Sequence, residues 1–271
     1  MKNILKSPFN YTGSKANLME QLTHYFPKDC NVCYDLFCGG GGFFINSIPY
    51  FEKIIANDII TQLTDCYKWL QRTEWPEISK VLNKRNINKN SKEEYSTLRD
   101  RFNSQKDFID FFILVCSCTN NMMRFNKKLQ FNQTWGKRNF NKSTEQKLKL
   151  YHEQLYQNGN IEFLNKNYYD FSFPLDSAPF IYLDPPYMIT EAGYNSYWSK
   201  DLERRLYDFI DGLNDKNIKF MLSNVREHKG KINQHLERIS KYKIIELDFN
   251  YDKVARNKSH NKSKEIVIIN Y

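Results

Sequence analysis

Short apolar runs alternate with stretches of helical periodicity in both terminal parts of the chain. The runs are rich in Ile, Val, Phe and Tyr, as β-strands require. They lie at Val32 to Phe37, Lys53 to Ala56, Ile161 to Leu164, Phe180 to Leu183, Ile218 to Leu222, Ile244 to Phe249 and Ile266 to Ile269. Helical spacing lies between most of them, for example at Lys200 to Leu213 and Lys231 to Lys241. This alternation predicts an α/β fold with a mostly parallel sheet covered by helices on both faces.

The last two predicted strands are joined by a short polar loop, Asn250 to Lys264, and can pair as an antiparallel hairpin. Seven strands with an antiparallel terminal pair are a variant of the nucleotide-binding α/β sheet. We therefore predict a Rossmann-like seven-stranded sheet with an antiparallel terminal strand.

The segment between the second and third strands, residues 73–159, has a different pattern. It is too long for an ordinary crossover and lacks strand alternation. Helical stretches lie within it at Lys92 to Phe102 and Asp107 to Cys116. We predict that 73–159 is an inserted, mainly helical domain, while 1–72 and 160–271 together form the domain that carries the sheet.

Residues 120–149 of this insertion are densely basic and contain a single acid, Glu145. Their basic members are Arg124, Lys127, Lys128, Lys137, Arg138, Lys142, Lys147 and Lys149. Aromatic side chains are interleaved with the charges, as a surface that holds phosphates and contacts bases requires. The whole chain carries 40 Lys and Arg against 31 Asp and Glu, a net charge of +9. This excess favours nucleic acid over an acidic membrane surface as a partner, although charge alone also fits a basic enzyme.

The cysteines and apolar runs exclude other classes of protein. Cys30 and Cys33 form one C-x-x-C pair with no second pair at zinc-ribbon spacing, so we predict no metal. Cys33 falls in a predicted strand and is expected in the core. The N-terminus lacks the apolar stretch of a signal peptide, and the longest apolar run, Phe111 to Cys116, is too short to span a bilayer. We predict a cytoplasmic protein with reduced thiols and no membrane partner.

The tetrapeptide Asp184-Pro185-Pro186-Tyr187 directly follows the strand Phe180 to Leu183. Side chains at the carboxyl end of a parallel strand face the ligand crevice. The two prolines fix the backbone and remove two N–H donors, which leaves the Asp184 carboxylate and nearby carbonyls as acceptors. An exocyclic amine fits such acceptors, and the Tyr187 ring offers a stacking face for its base. A proline-stiffened turn with Asp184 as a helix cap is the alternative, which the preceding strand and following aromatic disfavour.

A glycine-rich turn, Asp35-Leu36-Phe37-Cys38-Gly39-Gly40-Gly41-Gly42, ends the first strand. Glycines let the backbone pass close to a ligand before a helix begins. The spacing matches neither the dinucleotide fingerprint nor the phosphate-binding loop with its lysine, which disfavours NAD and ATP. Asn57-Asp58 ends the second strand about twenty residues later, where an acid can accept from ribose hydroxyls. Alone, Asp58 fits a helix cap equally well; the order and spacing of the motifs favour a nucleoside-containing cofactor.

In this order the motifs resemble those of the Dam-type, alpha-group DNA adenine methyltransferases, and the chain is especially similar to the T-even phage Dam enzymes. The resemblance runs nearly end to end. It rests on Tyr11-Thr12-Gly13-Ser14-Lys15, Asp35-Leu36-Phe37-Cys38-Gly39-Gly40, Asn57-Asp58-Ile59, Asp184-Pro185-Pro186-Tyr187 and Ser223-Asn224-Val225. It implies methyl transfer from S-adenosylmethionine to adenine N6 in duplex DNA, after the base is flipped out of the helix.

The resemblance also implies roles for individual residues. Catalytic roles fall to Asp184, Pro185, Pro186 and Tyr187. Cofactor contacts fall to Tyr11, Lys15, Asp35, Phe37, Gly39, Gly40, Asp58, Tyr168, Asp170 and Asp184. The insertion corresponds to the family's target-recognition domain, with DNA contacts at Asn120, Met122, Arg124, Asn126, Lys137 and Arg138.

Within that domain, Arg124 and Arg138 are expected to read guanine by bidentate bonds to O6 and N7. The expected site is GATC-like, with CATG or another four-base palindrome as the alternative. Asn10 stands where some relatives carry a base-contacting Lys, and Thr119-Asn120 replace an aromatic that wedges into the duplex. The identity of the wedge residue therefore stays open.

Two other functions stay open on the sequence. An amino-methyltransferase of the same class acting on RNA or on a protein Gln would share the Asp184 motif, although the basic insertion favours duplex DNA. A non-enzymatic DNA-binding module with a degenerate cofactor fold is disfavoured by intact Asp58, Asp184 and Tyr187. We expect double-stranded DNA as partner and a monomer or weak dimer; the sequence leaves open whether a companion restriction endonuclease exists.

Overall fold

A computed structural model describes residues 4–9, 13–126, 128–156, 158–190, 198–248 and 263–271 of the chain. The strands are β1 (Val32–Asp35), β2 (Lys53–Asn57), β3 (Ile161–Leu164), β4 (Pro179–Leu183), β5 (Lys219–His228), β6 (Lys231–Ile232), β7 (Lys243–Glu246) and β8 (Ser263–Ile269). The helices are α1 (Met19–Thr23), α2 (Phe44–Ser47), α3 (Thr61–Arg72), α4 (Trp75–Arg85), α5 (Lys92–Gln105), α6 (Phe108–Ser117), α7 (Lys142–Tyr156) and α8 (Lys200–Asp215).

The strands form one sheet in the order β3-β2-β1-β4-β5-β8-β7, and the short β6 pairs with β5. β1 to β5 are parallel to one another, whereas β8 is antiparallel to both β5 and β7. The predicted Rossmann-like sheet with an antiparallel terminal pair is confirmed. The chain moves outward from β1 through β2 to β3, and then returns to begin again at β4. The carboxyl ends of β1 and β4 therefore flank the switch point at which such sheets bind ligands.

Alternate residues of the central strands face two separate hydrophobic clusters. Phe180 and Tyr182 of β4 pack with the helices of the amino-terminal part, whereas Ile181 and Leu183 pack with α8. Burial on both faces explains why these strands are nearly continuous apolar runs. The expected two-sided cover of helices is thus present.

Helices α4 to α7 all lie between β2 and β3 in sequence, within residues 73–159. They share a hydrophobic cluster with the sheet rather than having one of their own. The Phe9 ring, for example, lies 5.3 Å from that of Phe112 on α6, and Cys66 of α3 contacts the Phe108 carbonyl. The division into a catalytic domain and an inserted recognition domain remains a prediction.

The helix predicted from Lys231 to Lys241 is wrong. A tight turn at Gly230, with φ of 78°, instead pairs His228 with Lys231. Asn233 then donates its side-chain amide to the Val225 carbonyl, and a 3₁₀ helix covers only Gln234–Ile239. The apolar spacing at Leu236 and Ile239 satisfied a helical pattern, but the glycine turn and the Asn233 bond hold the chain against β5.

Two expectations about burial can be compared with the structure directly. Cys33 is fully buried in the core, as predicted. Within the described ranges, none of the helices combines the length and the apolar character that a bilayer span needs.

Candidate active site

A cavity of about 530 Å³ opens at the switch point of the sheet. Its walls come from the turns that follow β1, β2 and β4, the segment after β3, and the 3₁₀ helix near the amino terminus. The predicted site residues that line it are Lys15, Phe37, Gly39, Gly40, Asp58, Tyr168, Asp184, Pro185, Pro186 and Tyr187. The fold therefore brings together residues that are up to 172 positions apart in the sequence.

Asp184 is held by two partners at the carboxyl end of β4. Lys15 Nζ lies 2.9 Å from Asp184 Oδ1, and the lysine side chain is only 5% exposed. The Tyr187 hydroxyl donates to the same oxygen at 2.9 Å. The ammonium and the hydroxyl together orient this carboxylate as an acceptor at the rim of the cavity.

Glu265, which the sequence reasoning missed, lies in the same cluster. Its Oε2 is 3.5 Å from the Tyr187 hydroxyl, although it belongs to β8, seventy-eight residues further along. No local motif marks it, because only the antiparallel pairing of β8 with β5 brings it to this edge.

The glycine turn after β1 is fixed by bonds from three directions. The Cys38 N–H donates to the Asn57 carbonyl at 2.8 Å, Tyr67 Oη donates to the Gly39 carbonyl at 2.7 Å, and Tyr151 Oη donates to the Gly41 carbonyl at 3.1 Å. Gly41 has a φ of 76°, and a Cβ there would overlap the Tyr151 hydroxyl. The turn thus requires glycine and presents bare backbone to the cavity.

The Asp58 carboxylate braces this turn from the end of β2. Its Oδ2 accepts from the Gly39 N–H at 2.8 Å and its Oδ1 accepts from the Ile60 N–H at 2.9 Å. Burial raises the pKa of Asp58 to about 6, while the backbone N–H bonds oppose the rise. A carboxylate has about four lone-pair sites, so these two bonds leave capacity for hydroxyl donors in the cavity.

Asp35 lies beneath the glycine turn, on the same face of β1 as Cys33. It is 1% exposed, and neither carboxylate oxygen has a hydrogen-bond partner among the described residues. Burial raises its pKa well above the ordinary value, and the charges of Asp184 and Asp58 add to this. A raised pKa favours the neutral acid at Asp35, so the negative potential in the adjoining cavity comes from the carboxylates of Asp58 and Asp184, which favour a cationic ligand there.

An aromatic wall closes the side of the cavity opposite the amino-terminal 3₁₀ helix. The ring of Phe37 lies 5.2 Å from that of Tyr168 and 5.8 Å from that of Trp198. Trp198, also missed from the sequence, is held by its N–H bond to the buried Glu203 carboxylate at 2.5 Å. Asp170, by contrast, is exposed at the surface, where it accepts from Asn167.

The predicted DNA contacts lie on an irregular hairpin, residues 118–135, that follows α6. Cys118 pairs with Trp135 and Phe125 with Phe131. Gly136 closes the base of the hairpin, where a Cβ would overlap the backbone of Cys118. Phe125 and Leu129, near the tip, line the same cavity as Asp58.

Both candidate guanine-reading arginines are held by asparagines in this hairpin region. Arg124 donates to the side chain and carbonyl of Asn132 at 3.0 and 2.7 Å, and Arg138 donates to Asn121 Oδ1 at 2.7 Å. Both arginines are exposed. Their guanidinium groups are therefore oriented before any DNA arrives.

The other predicted contacts are placed along the same hairpin region. Asn126 accepts from the N–H groups of Lys128 and Gln130 and so forms the tip, while Met122 is half-buried. Asn120 is exposed with a left-handed φ of 57°, and Lys137 Nζ lies over the Trp135 ring. The Thr119 hydroxyl lies 2.8 Å from that of Thr134, so this side chain ties the two hairpin strands together.

Some of the sequence predictions concern residues outside the described ranges. Tyr11, expected to contact the cofactor, is one of them, together with Asn10, Thr12 and Lys127. Ser223 and Asn224, part of the resemblance, are buried in the middle of β5, where Ser223 Oγ lies 2.8 Å from Tyr182 Oη.

Comparison with known proteins gives a family and several relatives. The profile of the D12 class N6 adenine-specific DNA methyltransferase family matches residues 11–252. The type II methyltransferase M.FokI of Planomicrobium okeanokoites is 33% identical over 98% of this chain and 43% of its own length. The modification methylase StsI of Streptococcus sanguinis is 33% identical over 100% of this chain and 43% of its own length. The type II methyltransferase M1.LlaDCHI of Lactococcus lactis subsp. cremoris is 26% identical over 97% of this chain and 95% of its own length.

These findings refine the resemblance drawn from the sequence. The chain spans less than half the length of the first two relatives. All three are type II or modification methyltransferases, so the comparisons support a likeness to N6-adenine DNA methyltransferases and no specific likeness to the T-even phage enzymes.

Proposed function

The chain belongs to the D12 class N6 adenine-specific DNA methyltransferase family, and we propose that it methylates adenine N6 at a specific site in duplex DNA. The observation that carries this proposal is the position of Asp184-Pro185-Pro186-Tyr187. The segment forms the rim of a cavity whose other wall is the glycine turn braced by Asp58. The acceptors that suit an amine and the glycine turn that suits a nucleoside cofactor thus line the same cavity.

The residues of the cavity fit S-adenosylmethionine, which would supply a methyl group on a sulfonium centre. Asp58 has capacity for ribose hydroxyls, and the bare backbone of Gly39 and Gly40 admits a ligand at close range. The carboxylates of Asp58 and Asp184, which line the cavity, provide negative potential for a ligand that carries a sulfonium and an ammonium group. Phe37 and Tyr168 provide apolar walls for its uncharged parts.

Asp58 provides a pH-dependent test of cofactor binding. Its pKa near 6 means that it is protonated below that pH in the free protein, whereas ribose hydroxyls bind best to the ionised form. Affinity for S-adenosylmethionine should therefore fall by up to about tenfold per pH unit below pH 6 and show no dependence on this group well above it. Titration calorimetry at pH 5, 6, 7 and 8 measures this.

Variants of Asp58 supply the controls. Asp58→Ala should weaken cofactor binding at pH 7 by about ten- to a hundredfold, the usual cost of losing a charged acceptor. Asp58→Asn, which keeps one acceptor for the backbone, should abolish the pH dependence. Unchanged affinity in both variants would mean that Asp58 serves only the turn.

The reaction we propose is direct transfer to a flipped adenine. The Tyr187 ring stacks on the base, and the Asp184 carboxylate and the Pro185 carbonyl accept from the N6 amine. Lys15 fixes the direction of the Asp184 carboxylate. These contacts aim the nitrogen lone pair at the methyl group and stabilise the positive charge that develops on nitrogen, so catalysis is mostly positioning and electrostatics.

We propose that residues 73–159 form the target-recognition domain and that its 118–135 hairpin, with Lys137 and Arg138 just beyond, reads the sequence. The support is the exposed pair Arg124 and Arg138, each oriented by an asparagine. A guanidinium presented in this way suits bidentate bonds to guanine. A GATC-like palindrome, with guanine in each half, is the recognition sequence that we propose.

Substitution of the arginines should separate base reading from phosphate binding. Arg124→Ala or Arg138→Ala should relax specificity, because a bidentate arginine–guanine pair discriminates by about 1–3 kcal/mol. Lys142 is exposed at the start of α7. Lys142→Ala should instead weaken binding to all DNA sequences equally and make the dependence of log affinity on log salt concentration shallower by about one unit. Methylation rates on single-base-changed duplexes at two salt concentrations decide between them. Equal losses on every duplex would make the arginines phosphate contacts.

The activity itself is tested by sequencing DNA from cells that express the chain, with a method that detects methylated bases. N6-methyladenine at one recurring short sequence is the expected result. Methylation absent from DNA but present on RNA or protein in parallel assays with purified chain would overturn the proposal. The same data give the recognition sequence directly.

Two relatives are named modification methylase or type II methyltransferase, and we propose that this chain also modifies DNA for protection. A companion restriction endonuclease that cuts the same unmethylated site then completes the system. Each methylation event needs one cavity and one hairpin, so we propose action as a monomer or weak dimer.

A further inference from the structure

Glu265 is a partly buried carboxylate at the edge of the sheet where the cavity opens. It lies opposite Val225 in the antiparallel pairing of β8 with β5. Because β8 runs against the parallel strands, its first residues lie at the carboxyl edge of β4 and β5. The strand pairing therefore places Glu265 next to the segment that follows β4, although the two are distant in sequence and share no motif.

The hydroxyl of Tyr187 lies between two carboxylates. Its oxygen is 2.9 Å from Asp184 Oδ1 and 3.5 Å from Glu265 Oε2. Lys15 Nζ contacts the same Asp184 oxygen and lies 5.1 Å from the centre of the Tyr187 ring. Burial raises the pKa of Tyr187 and both carboxylates add to the rise, so the phenol stays protonated and acts as a donor.

Two anchors constrain a tyrosine ring more than one. Asp184 belongs to the same loop as Tyr187, so a bond between them lets the loop and ring move together. Glu265 belongs to a β-strand whose following residues, from Ile266 to Ile269, are buried in the core. A contact from that strand fixes the position of the Tyr187 hydroxyl relative to the rigid sheet.

We propose that Glu265 is a positioning residue, which together with Asp184 holds the Tyr187 ring at the angle where it stacks on the flipped adenine. This inference rests on the proposed function of Tyr187. The local electrostatics agree with it. Burial raises the pKa of Glu265, the Lys15 charge opposes the rise and Asp184 adds to it, so a hydroxyl partner offsets part of the cost of burying this carboxylate.

A double-mutant cycle between Glu265 and Tyr187 tests the proposal. Glu265→Gln, Glu265→Leu and Tyr187→Phe are made singly and as two pairs, and kcat and KM are measured on the duplex that the wild-type protein methylates. Loss of one weak hydrogen bond should lower kcat about three- to tenfold in Glu265→Leu, with KM for S-adenosylmethionine unchanged. Glu265→Gln keeps an acceptor and should recover part of the loss.

A second measurement follows the base and needs no cofactor. 2-Aminopurine placed at the target position reports by its fluorescence how far the base leaves the helix and how it stacks. Glu265→Leu should change this signal in the same direction as Tyr187→Phe. Glu246→Gln is the matched control, because Glu246 lies on the neighbouring strand β7 and is ion-paired with Arg226 at the surface.

The outcomes distinguish a failure of the role inferred for Glu265 from a failure of the proposed methylation of DNA. If Glu265 acts through the hydroxyl, its substitutions add little in the Tyr187→Phe background. Losses of kcat that multiply when Glu265 and Tyr187 are both substituted would overturn the inference. A Glu265→Leu protein with wild-type kinetics and fluorescence would overturn it as well. A wild-type protein that methylates no DNA would overturn the proposed function instead. If Glu265→Leu does not fold, as judged by its Tm, the cycle with Glu265→Gln still decides.

Discussion

Replacement of Asp184 by alanine is expected to abolish methylation while affinity for duplex DNA stays within about a few-fold of wild type. In the proposed reaction the carboxylate accepts from the target amine, whereas the proposed phosphate and base contacts lie on the 118–135 hairpin and beyond it. Removing one preorganised hydrogen-bonding group, such as an oxyanion-hole donor, typically costs about 2.7–4 kcal/mol in the transition state, or two to three powers of ten in rate, and a loss at least as large is expected here. Single-turnover methylation and filter binding on the same duplex measure the two quantities.

The control for Asp184 must account for Lys15, whose buried ammonium would lose its anionic partner and keep the Gly13 carbonyl as an acceptor. Breaking a buried ion pair by removing one partner costs up to about 3–5 kcal/mol, so Asp184→Ala also destabilises the fold. Asp184→Asn keeps one acceptor and should fold better, yet remain severely slow because the charge is gone. Retention of even about a tenth of wild-type turnover in a folded Asp184→Ala protein would refute the assigned role.

Gly41→Ala is expected to have the second large effect, on both stability and cofactor binding. Its φ of 76° disfavours any residue with a Cβ, and that atom would overlap the Tyr151 hydroxyl and lie 2.8 Å from Phe44. We expect Tm to fall by roughly 5–15 °C and S-adenosylmethionine affinity to fall by more than about tenfold. Thermal melts with and without the cofactor measure both.

Two further variants test the cause. Gly41→Ala combined with Tyr151→Phe removes the overlapping oxygen and should recover part of the lost Tm, while the backbone strain persists. Gly212→Ala, in helix α8 with nothing within 4 Å of a Cβ, should be neutral or slightly stabilising. A Gly41→Ala protein as stable as wild type would show that the turn tolerates a side chain.

Much of the fold could be predicted from the sequence because the signals are local. The strand Ile161–Leu164 has the predicted bounds, and the other predicted strands lie within three residues of those observed, except that β5 extends to His228 where Leu222 was the predicted end. Buried parallel strands give continuous apolar runs, and their carboxyl ends fix where ligand residues gather. This is why Asp58 and Asp184, 126 positions apart in sequence, could be assigned to one site.

What the sequence could not predict depends on pairing between distant segments. Glu265 reaches the site only because β8 is antiparallel and lies between β5 and β7. Trp198 reaches the cavity wall through its bond to Glu203, and Arg124 is oriented by an asparagine across the hairpin. The helix wrongly predicted from Lys231 to Lys241 has the same cause. The apolar residues there do have helical spacing, but Asn233 bonds to the Val225 carbonyl of β5.

The hydrogen bond from Tyr151 to the Gly41 carbonyl has a consequence for protein engineering. Tyr151 lies on α7, so a chimera that exchanged all of residues 73–159 for a relative's segment would also remove a clamp on the glycine turn. A graft confined to the stretch between Cys118 and Gly136 would leave that clamp in place. If the hairpin reads the sequence as proposed, altered sequence preference is best sought by transplanting it together with Lys137 and Arg138, with Gly136 kept at its base.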